Sequence, residues 1–179
     1  MIGSDTKTIR GPLRKPQESD DVGGFFTSGE SVCLRPMTTA DMDEIMAIER
    51  IAYRFPWSDG FFLQELRVPC ARSILAEVEG RIAGYVLFWI LPGAIDIHNL
   101  ATHVDFRRRG LARLLLGKVL GQAKAQSISR VTLEVRSSNV PAQRLYESTG
   151  FITTGVRKGY YSDDGEDALA MTLELAKEG

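Results

Sequence analysis

The sequence predicts an α/β fold: a mixed, mostly antiparallel twisted sheet of six to seven strands with a central parallel pair and helices on both faces. Three observations predict it. Short β-rich runs bounded by turn residues alternate with amphipathic helical runs. The runs on either side of Glu79-Gly80-Arg81 are joined so tightly that they must pair antiparallel. One strand–helix–strand unit, from Ile95 to Arg136, needs a right-handed crossover, which makes its two strands parallel neighbours. A chain of 179 residues is the size of one domain and can bury a real core.

Residues 1–29 mix charged residues, Ser, Gly and Pro with few apolar positions, and read as a disordered arm; residues 30–179 read as a single domain. Ser31 to Arg35 forms a first strand, stopped by Pro36. Thr39 is placed to cap a helix with Asp41, Asp43 and Glu44 in its first turn and Met42, Ile45 and Met46 at helical spacing, ending near Tyr53. Phe55-Pro56-Trp57-Ser58 breaks that helix, and Ser58 caps a shorter one running to about Val68. Ser73–Glu79 and Arg81–Leu91 make a hairpin, and Pro92-Gly93 turns the chain into a strand ending near Val104. A striped helix follows from Leu111 to Ala125, then a strand from Arg130 to Arg136. Asn139 and Pro141 mark the entry of a short helix, and Gly150 its exit. Phe151–Arg157 and Asp167–Leu175 finish the sheet, the latter alternating Leu169, Met171, Leu173 and Leu175.

The net charge is −1 and the pI near 6.2, so non-specific nucleic-acid binding is disfavoured. Cys33 and Cys70 stand in no metal-ligand spacing, which predicts reduced thiols and no metal. No apolar run is long enough to span a bilayer and the N-terminus lacks a signal-peptide core, so a cytoplasmic protein without membrane contact is expected. A monomer is the expectation for its oligomeric state.

Against that near-neutral background, Arg107-Arg108-Arg109-Gly110-Leu111-Ala112-Arg113 concentrates four arginines between a strand and a helix. A glycine at that junction lets the backbone approach an anion, and the first helical N–H groups point at whatever sits there. In open sheets of this kind ligands bind beyond the C-terminal ends of the parallel strands, where this loop lies. The second parallel strand carries Val131, Leu133 and Val135 on one face and Thr132, Glu134 and Arg136 on the other. A carboxylate on a central strand points to a face that opens onto a cleft, and makes Glu134 the general-base candidate. Tyr146, on the helix that follows, can reach the same cleft. Phe55, Trp57, Tyr160 and Tyr161 are either core filler or the walls of a substrate groove. His98 and His103 show no carboxylate or cysteine partner in sequence and read as structural.

Arg107-x-x-Gly110-x-Ala112 resembles the pyrophosphate-binding signature of the GNAT acetyltransferases, and the resemblance extends from about Ser31 to Leu175. With Leu133-Glu134-Val135-Arg136-Ser137-Ser138-Asn139, Leu145-Tyr146-Glu147-Ser148-Thr149-Gly150-Phe151, Phe55-Pro56-Trp57-Ser58 and Tyr160-Tyr161-x-x-x-Gly165-Glu166-Asp167-Ala168, it is closest in kind to the ribosomal-protein-alanine N-acetyltransferase (RimI) type within that family. The resemblance implies the GNAT fold and acetyl-CoA as donor, its pyrophosphate held by Arg107, Arg108, Arg109, Gly110, Leu111, Ala112 and Arg113. It also implies that Leu100, Ala101 and Thr102 pair with the pantetheine arm, that Asn139 and Tyr146 contact the cofactor, that Glu134 is general base and that Tyr146 is the acid for the leaving thiolate. The implied acceptor is a protein N-terminus, with ribosomal protein S18 and its N-terminal alanine as the specific expectation. A lysine side chain or a small-molecule amine is the alternative acceptor, and a non-catalytic CoA- or RNA-binding domain the alternative class. Ala112 stands where the signature more often has glycine.

Overall fold

The computed structural model describes residues 24–25 and 31–176. The chain runs β1 (Gly24–Phe25), β2 (Ser31–Arg35), α1 (Met42–Ala52), α2 (Asp59–Glu65), β3 (Ala71–Val78), β4 (Arg81–Leu91), β5 (Ala94–Thr102), α3 (Leu111–Ala125), β6 (Arg130–Arg136), α4 (Val140–Glu147), β7 (Ile152–Arg157) and β8 (Ala168–Glu174). One eight-stranded sheet is ordered β1-β2-β3-β4-β5-β6-β8-β7. Among the described residues only the β5–β6 pair is parallel. The strand count exceeds the expected six to seven by β1, whose Gly24 and Phe25 pair with Val32 and Ser31. Apart from Gly24 and Phe25, the expected N-terminal arm of residues 1–29 lies outside the described residues.

Local chemistry fixes the elements. Ser58 Oγ accepts from the Phe61 N–H at the start of α2, and Asn139 Oδ1 from the Ala142 N–H at the start of α4, with Pro141 in its first turn. The β3–β4 hairpin turns through Glu79 and Gly80, both at positive φ, which suits the twist of the strands. Two boundaries differ from the sequence reading. The first helix is capped one residue earlier, where Asp41 Oδ2 accepts from both the N–H and the hydroxyl of Thr38, and a 3-10 turn precedes α1. The strand expected to end near Val104 ends at Thr102, because Val104–Phe106 curl into a 3-10 turn that buries Phe106.

Alternate residues of β4 serve two cores. Tyr85 and Leu87 meet Ile45, Ile48 and Phe62 from α1 and α2 on one face. Val86 and Phe88 meet Leu111, Leu115 and Val119 from α3 on the other, a layer that Tyr146 and Phe151 extend. Gly84 makes a close approach between β4, β5 and α3: a Cβ there would lie 2.7 Å from the Ala101 carbonyl oxygen and 3.1 Å from Leu111 Cδ2. Gly84→Ala is expected to destabilise the fold by about 1–3 kcal/mol through overpacking, read as a lowered urea midpoint with an unchanged slope. An unchanged midpoint would show that β5 yields at no cost.

Candidate active site

The parallel pair comes apart halfway. β5 and β6 are in register from Ala94/Arg130 to Ile97/Leu133 and no further. Beyond that point β5 stays bound to β4 as far as Thr102, and β6 to β8 as far as Arg136, so the two strands fork. A bulge marks the fork: Leu87 pairs with Asn99 and Phe88 with Ile97, leaving His98 as the extra residue on β5. A cleft of about 210 Å³ opens between the arms.

Leu100 lines the cleft from one arm and Glu134 from the other, with Tyr146 reaching in from α4. Burial, with Asp96 nearby, pushes the Glu134 carboxyl above the ordinary carboxylate range, and Arg157 and His98 pull it back. The direction is the one expected for a base tuned towards neutral pH. Arg157 Nη2 lies 3.1 Å from Glu134 Oε1. Tyr146 is nearly inaccessible, its ring 5.8 Å from that of Phe151. Burial first, and Tyr161 second, push its hydroxyl up to about 12, which keeps it a protonated donor.

The arginine loop follows the β5 arm and leads into α3. Gly110 caps α3 at φ +87°, and a Cβ there would meet nothing within 4 Å, so the space over the turn is open. Arg108 also takes positive φ, at 64°. The geometry of a helix start leaves the Leu111, Ala112 and Arg113 N–H groups without intrahelical partners, facing that space with the positive end of the helix dipole. Several arginine side chains are turned to bracing the loop: Arg107 Nε donates to the Thr102 carbonyl at 3.4 Å, Arg113 Nη2 to Ser148 Oγ at 2.9 Å, and the Arg109 guanidinium lies 5.5 Å from the Phe106 ring centre. A phosphate-bearing ligand fits this cradle through the backbone.

Phe55, Trp57, Tyr161 and Asn139 line the cleft. Tyr160 stands one step away, edge-on to Tyr161 with centroids 5.1 Å apart. Ala101 and Thr102 are not cleft-lining residues; the Ala101 side chain is buried in the core beneath α1. Sequence reasoning missed two supports. Glu49, 1% exposed, accepts from the Trp57 N–H at 2.9 Å, from the Tyr85 hydroxyl, and from Asn99 Nδ2 at 3.3 Å. It ties the Phe55–Ser58 loop to the bulged strand, and burial pushes its carboxyl up. The Tyr53 hydroxyl adds to this knot, 2.7 Å from Asn99 Oδ1 and 2.8 Å from the Leu100 carbonyl oxygen. Across the cleft, Arg136 meets Asp163 at 2.6 Å and Asp164 and Glu166 at 3.0 Å, while its guanidinium lies 3.8 Å from the Tyr161 ring centre and 5.5 Å from that of Phe55. The signal for Arg136 was the acidic run Asp163-Asp164-x-Glu166-Asp167; Glu49 gave none, since a glutamate inside a surface helix reads as solvated.

The profile of the acetyltransferase (GNAT) family matches residues 42–151. A Bacillus subtilis (strain 168) protein provisionally named [ribosomal protein bS18]-alanine N-acetyltransferase is 37% identical over 143 residues, 79% of this chain and 95% of that protein. The crystal structure of the ribosomal-protein-S18-alanine N-acetyltransferase from Escherichia coli superposes with a TM-score of 0.76 at 29% identity, covering 83% of this chain and 96% of that one. Arabidopsis thaliana NAA60 in complex with acetyl-CoA shares the fold, with a TM-score of 0.72 at 20% identity over 80% of this chain and 98% of that one.

A backbone cradle predicts an order of effects. Gly110→Val strains a left-handed turn and fills the space above it, and should nearly abolish CoA binding by isothermal titration; Arg108→Ala should weaken it by about tenfold or less. The reverse order would make the side chains the binding element.

Proposed function

The chain belongs to the acetyltransferase (GNAT) family, and from that premise we propose that it acetylates the N-terminal α-amine of a protein, the N-terminal alanine of ribosomal protein S18 being the specific acceptor. It is an N-acetyltransferase whose acetyl donor is acetyl-CoA. One observation carries the reading of the site: a single cleft at the strand fork is lined by Leu100, Glu134 and Tyr146, and the chain runs from its β5 arm into the Gly110 turn that caps α3.

Each residue has a task that its surroundings suit. The backbone N–H groups from Gly110 to Arg113 hold the pyrophosphate, and the arginines brace the turn and add positive charge around it. Beyond Ile97 the fork-facing edge of β5 has no strand partner, so its backbone groups are available to the amides of the pantetheine arm. Glu134 accepts a proton from the incoming ammonium, and the neutral amine attacks the thioester carbonyl directly. Tyr146 donates to the sulfur as the carbon–sulfur bond breaks. Phe55, Trp57, Tyr160 and Tyr161 wall the acceptor side.

Acceptor choice follows from proton affinity. An α-amine with a pKa near 7.8 is about 10–15% neutral at pH 7, against about 0.04% for a lysine amine near 10.4. One carboxylate of raised pKa is a sufficient base for the former. A cytoplasmic location accords with a ribosomal protein as acceptor, and among the described residues no helix is long and apolar enough to cross a membrane.

Mass spectrometry of a peptide library with varied N-terminal residues, incubated with acetyl-CoA, tests the acceptor. Acetylation of α-amines, with N-terminal alanine foremost, is expected; modification confined to lysine side chains would overturn the proposal. The base has its own signature. Glu134 works ionised, so kcat/KM should fall as the pH drops through its raised pKa. Arg157→Ala removes the cation that favours the ionised form, and should move that acidic limb to higher pH. A limb that stays put, or moves down, would take Glu134 out of the base role.

A further inference from the structure

Of the titratable side chains that line the cleft with no part in the transfer steps, Glu49, Tyr53, Arg136 and Asp163 are engaged in the hydrogen bonds and ion pairs that hold its walls, whereas His98 has a buried ring nitrogen with no hydrogen bond. As the bulged residue of β5 it is the first position past the last β5–β6 pair, as Glu134 is on β6. Its ring stacks on Trp89 at 4.5 Å between centroids, and Trp89 is itself held by donating from Nε1 to Glu65 at 2.6 Å. Nε2 of His98 is shut off from solvent with no hydrogen bond, and Asp96 Oδ2 lies 3.6 Å from it. Asp96 is fixed in turn by the Thr132 hydroxyl, which donates to its Oδ1 at 2.8 Å. With Nε2 turned inward to Asp96, Nδ1 is the ring nitrogen left for a cleft group. The charged and titratable groups facing this ring are Asp96 on its own strand and Glu134 across the fork, with Arg157 and Tyr160 beyond Glu134.

The reaction needs a second acceptor. An N-terminal ammonium carries three protons and the acetyl amide keeps one, so two leave nitrogen in every turnover. The first goes to Glu134 and frees the lone pair that forms the carbon–nitrogen bond. The second leaves after attack, while Glu134 still holds the first. We propose that His98, oriented by Asp96, is a second catalytic proton acceptor at the strand fork, with Asp96 as its positioning residue. Nδ1 takes the second proton as the carbon–sulfur bond breaks and Tyr146 protonates the sulfur. Of the two protons lost by nitrogen, one returns to Tyr146 through solvent and one is released, so the sum is one thiol, one amide and one proton. This assignment rests on the reading of Glu134 as base.

The test is steady-state turnover of an α-amine peptide by the full chain from about pH 6 to 9, with CoA affinity measured alongside. His98→Gln is expected to lower kcat about ten- to a hundredfold, within the range of general acid–base catalysis, to leave CoA affinity within about twofold, and to remove one of two ionisations from the acidic limb. Asp96→Asn should lower kcat in the same sense but less. Added imidazole should restore turnover to His98→Gly, a rescue that a merely structural residue would not show. Parent rates in His98→Gln at every pH, with Glu134→Gln inactive, would overturn the second acceptor and leave the first standing. Parent rates in both variants would instead overturn the reading of Glu134 beneath it. If His98→Gln loses CoA binding, the imidazole experiment decides: rescue of His98→Gly supports the assignment, and failure to rescue a variant that still binds CoA contradicts it.

Discussion

Two parallel strands that stop pairing halfway leave a row of backbone N–H and C=O groups on each arm with no ladder to satisfy them, and the rest of this structure answers that constraint. Buried backbone polar groups rarely stay unpaired. A fork inside a sheet is therefore sustainable only if something holds the arms apart and something polar enters between them. The antiparallel partners hold them: β4 keeps β5 as far as Thr102, and β8 keeps β6 as far as Arg136. A ligand that carries amides along a thin chain, as the pantetheine arm of acetyl-CoA does, would meet the remaining demand.

Each arm is also pinned by a buried or partly buried charge. On the β5 side the Glu49 carboxylate gathers the Trp57 N–H, the Tyr85 hydroxyl and the Asn99 amide, so the aromatic loop and the bulged strand cannot move separately. Removing one member would leave the others desolvated without a partner, which is the costly way to break such a network. On the β6 side Arg136 draws three carboxylates and the Tyr161 ring onto the end of the strand. Phe55 touches the same guanidinium, so the two walls of the acceptor side meet at one cation. Charge is divided along the site: arginines and a helix N-terminus at the Gly110 turn, which suits a phosphate, and Asp96 and Glu134 at the fork, which suits an ammonium.

Local rules made much of this legible from sequence. Ser58, Asn139, Pro141 and Gly110 each do what their residue type does best, and the helix and strand bounds around them fall within a few residues of the sequence reading. The misplaced cap at Thr39 arose because Thr38 and Thr39 are equivalent in sequence; only the reach of Asp41 back to Thr38 separates them. The strand ran on to Val104 in the sequence reading because Thr102 and Val104 are both β-branched, whereas burial of Phe106 turns the chain. His98 and Glu49 were beyond reach for a different reason. Their partners Asp96 and Asn99 are set by a bulge and by a buried helix face, neither of which leaves a periodicity to read, whereas Arg136 had a signal in the acidic run Asp163-Asp164-x-Glu166-Asp167.

The central claim is that donor and acceptor meet at the fork, between Glu134 and Tyr146. A crystal structure with a bisubstrate analogue, CoA joined to the α-amine of a peptide beginning with alanine, tests it most directly. The joining amide is expected between the β5 and β6 arms, the pyrophosphate on the Gly110 turn, and the peptide leaving between Phe55 and Tyr161. A peptide that leaves past the opposite face of the sheet, with its nitrogen out of reach of both Glu134 and Tyr146, would contradict it.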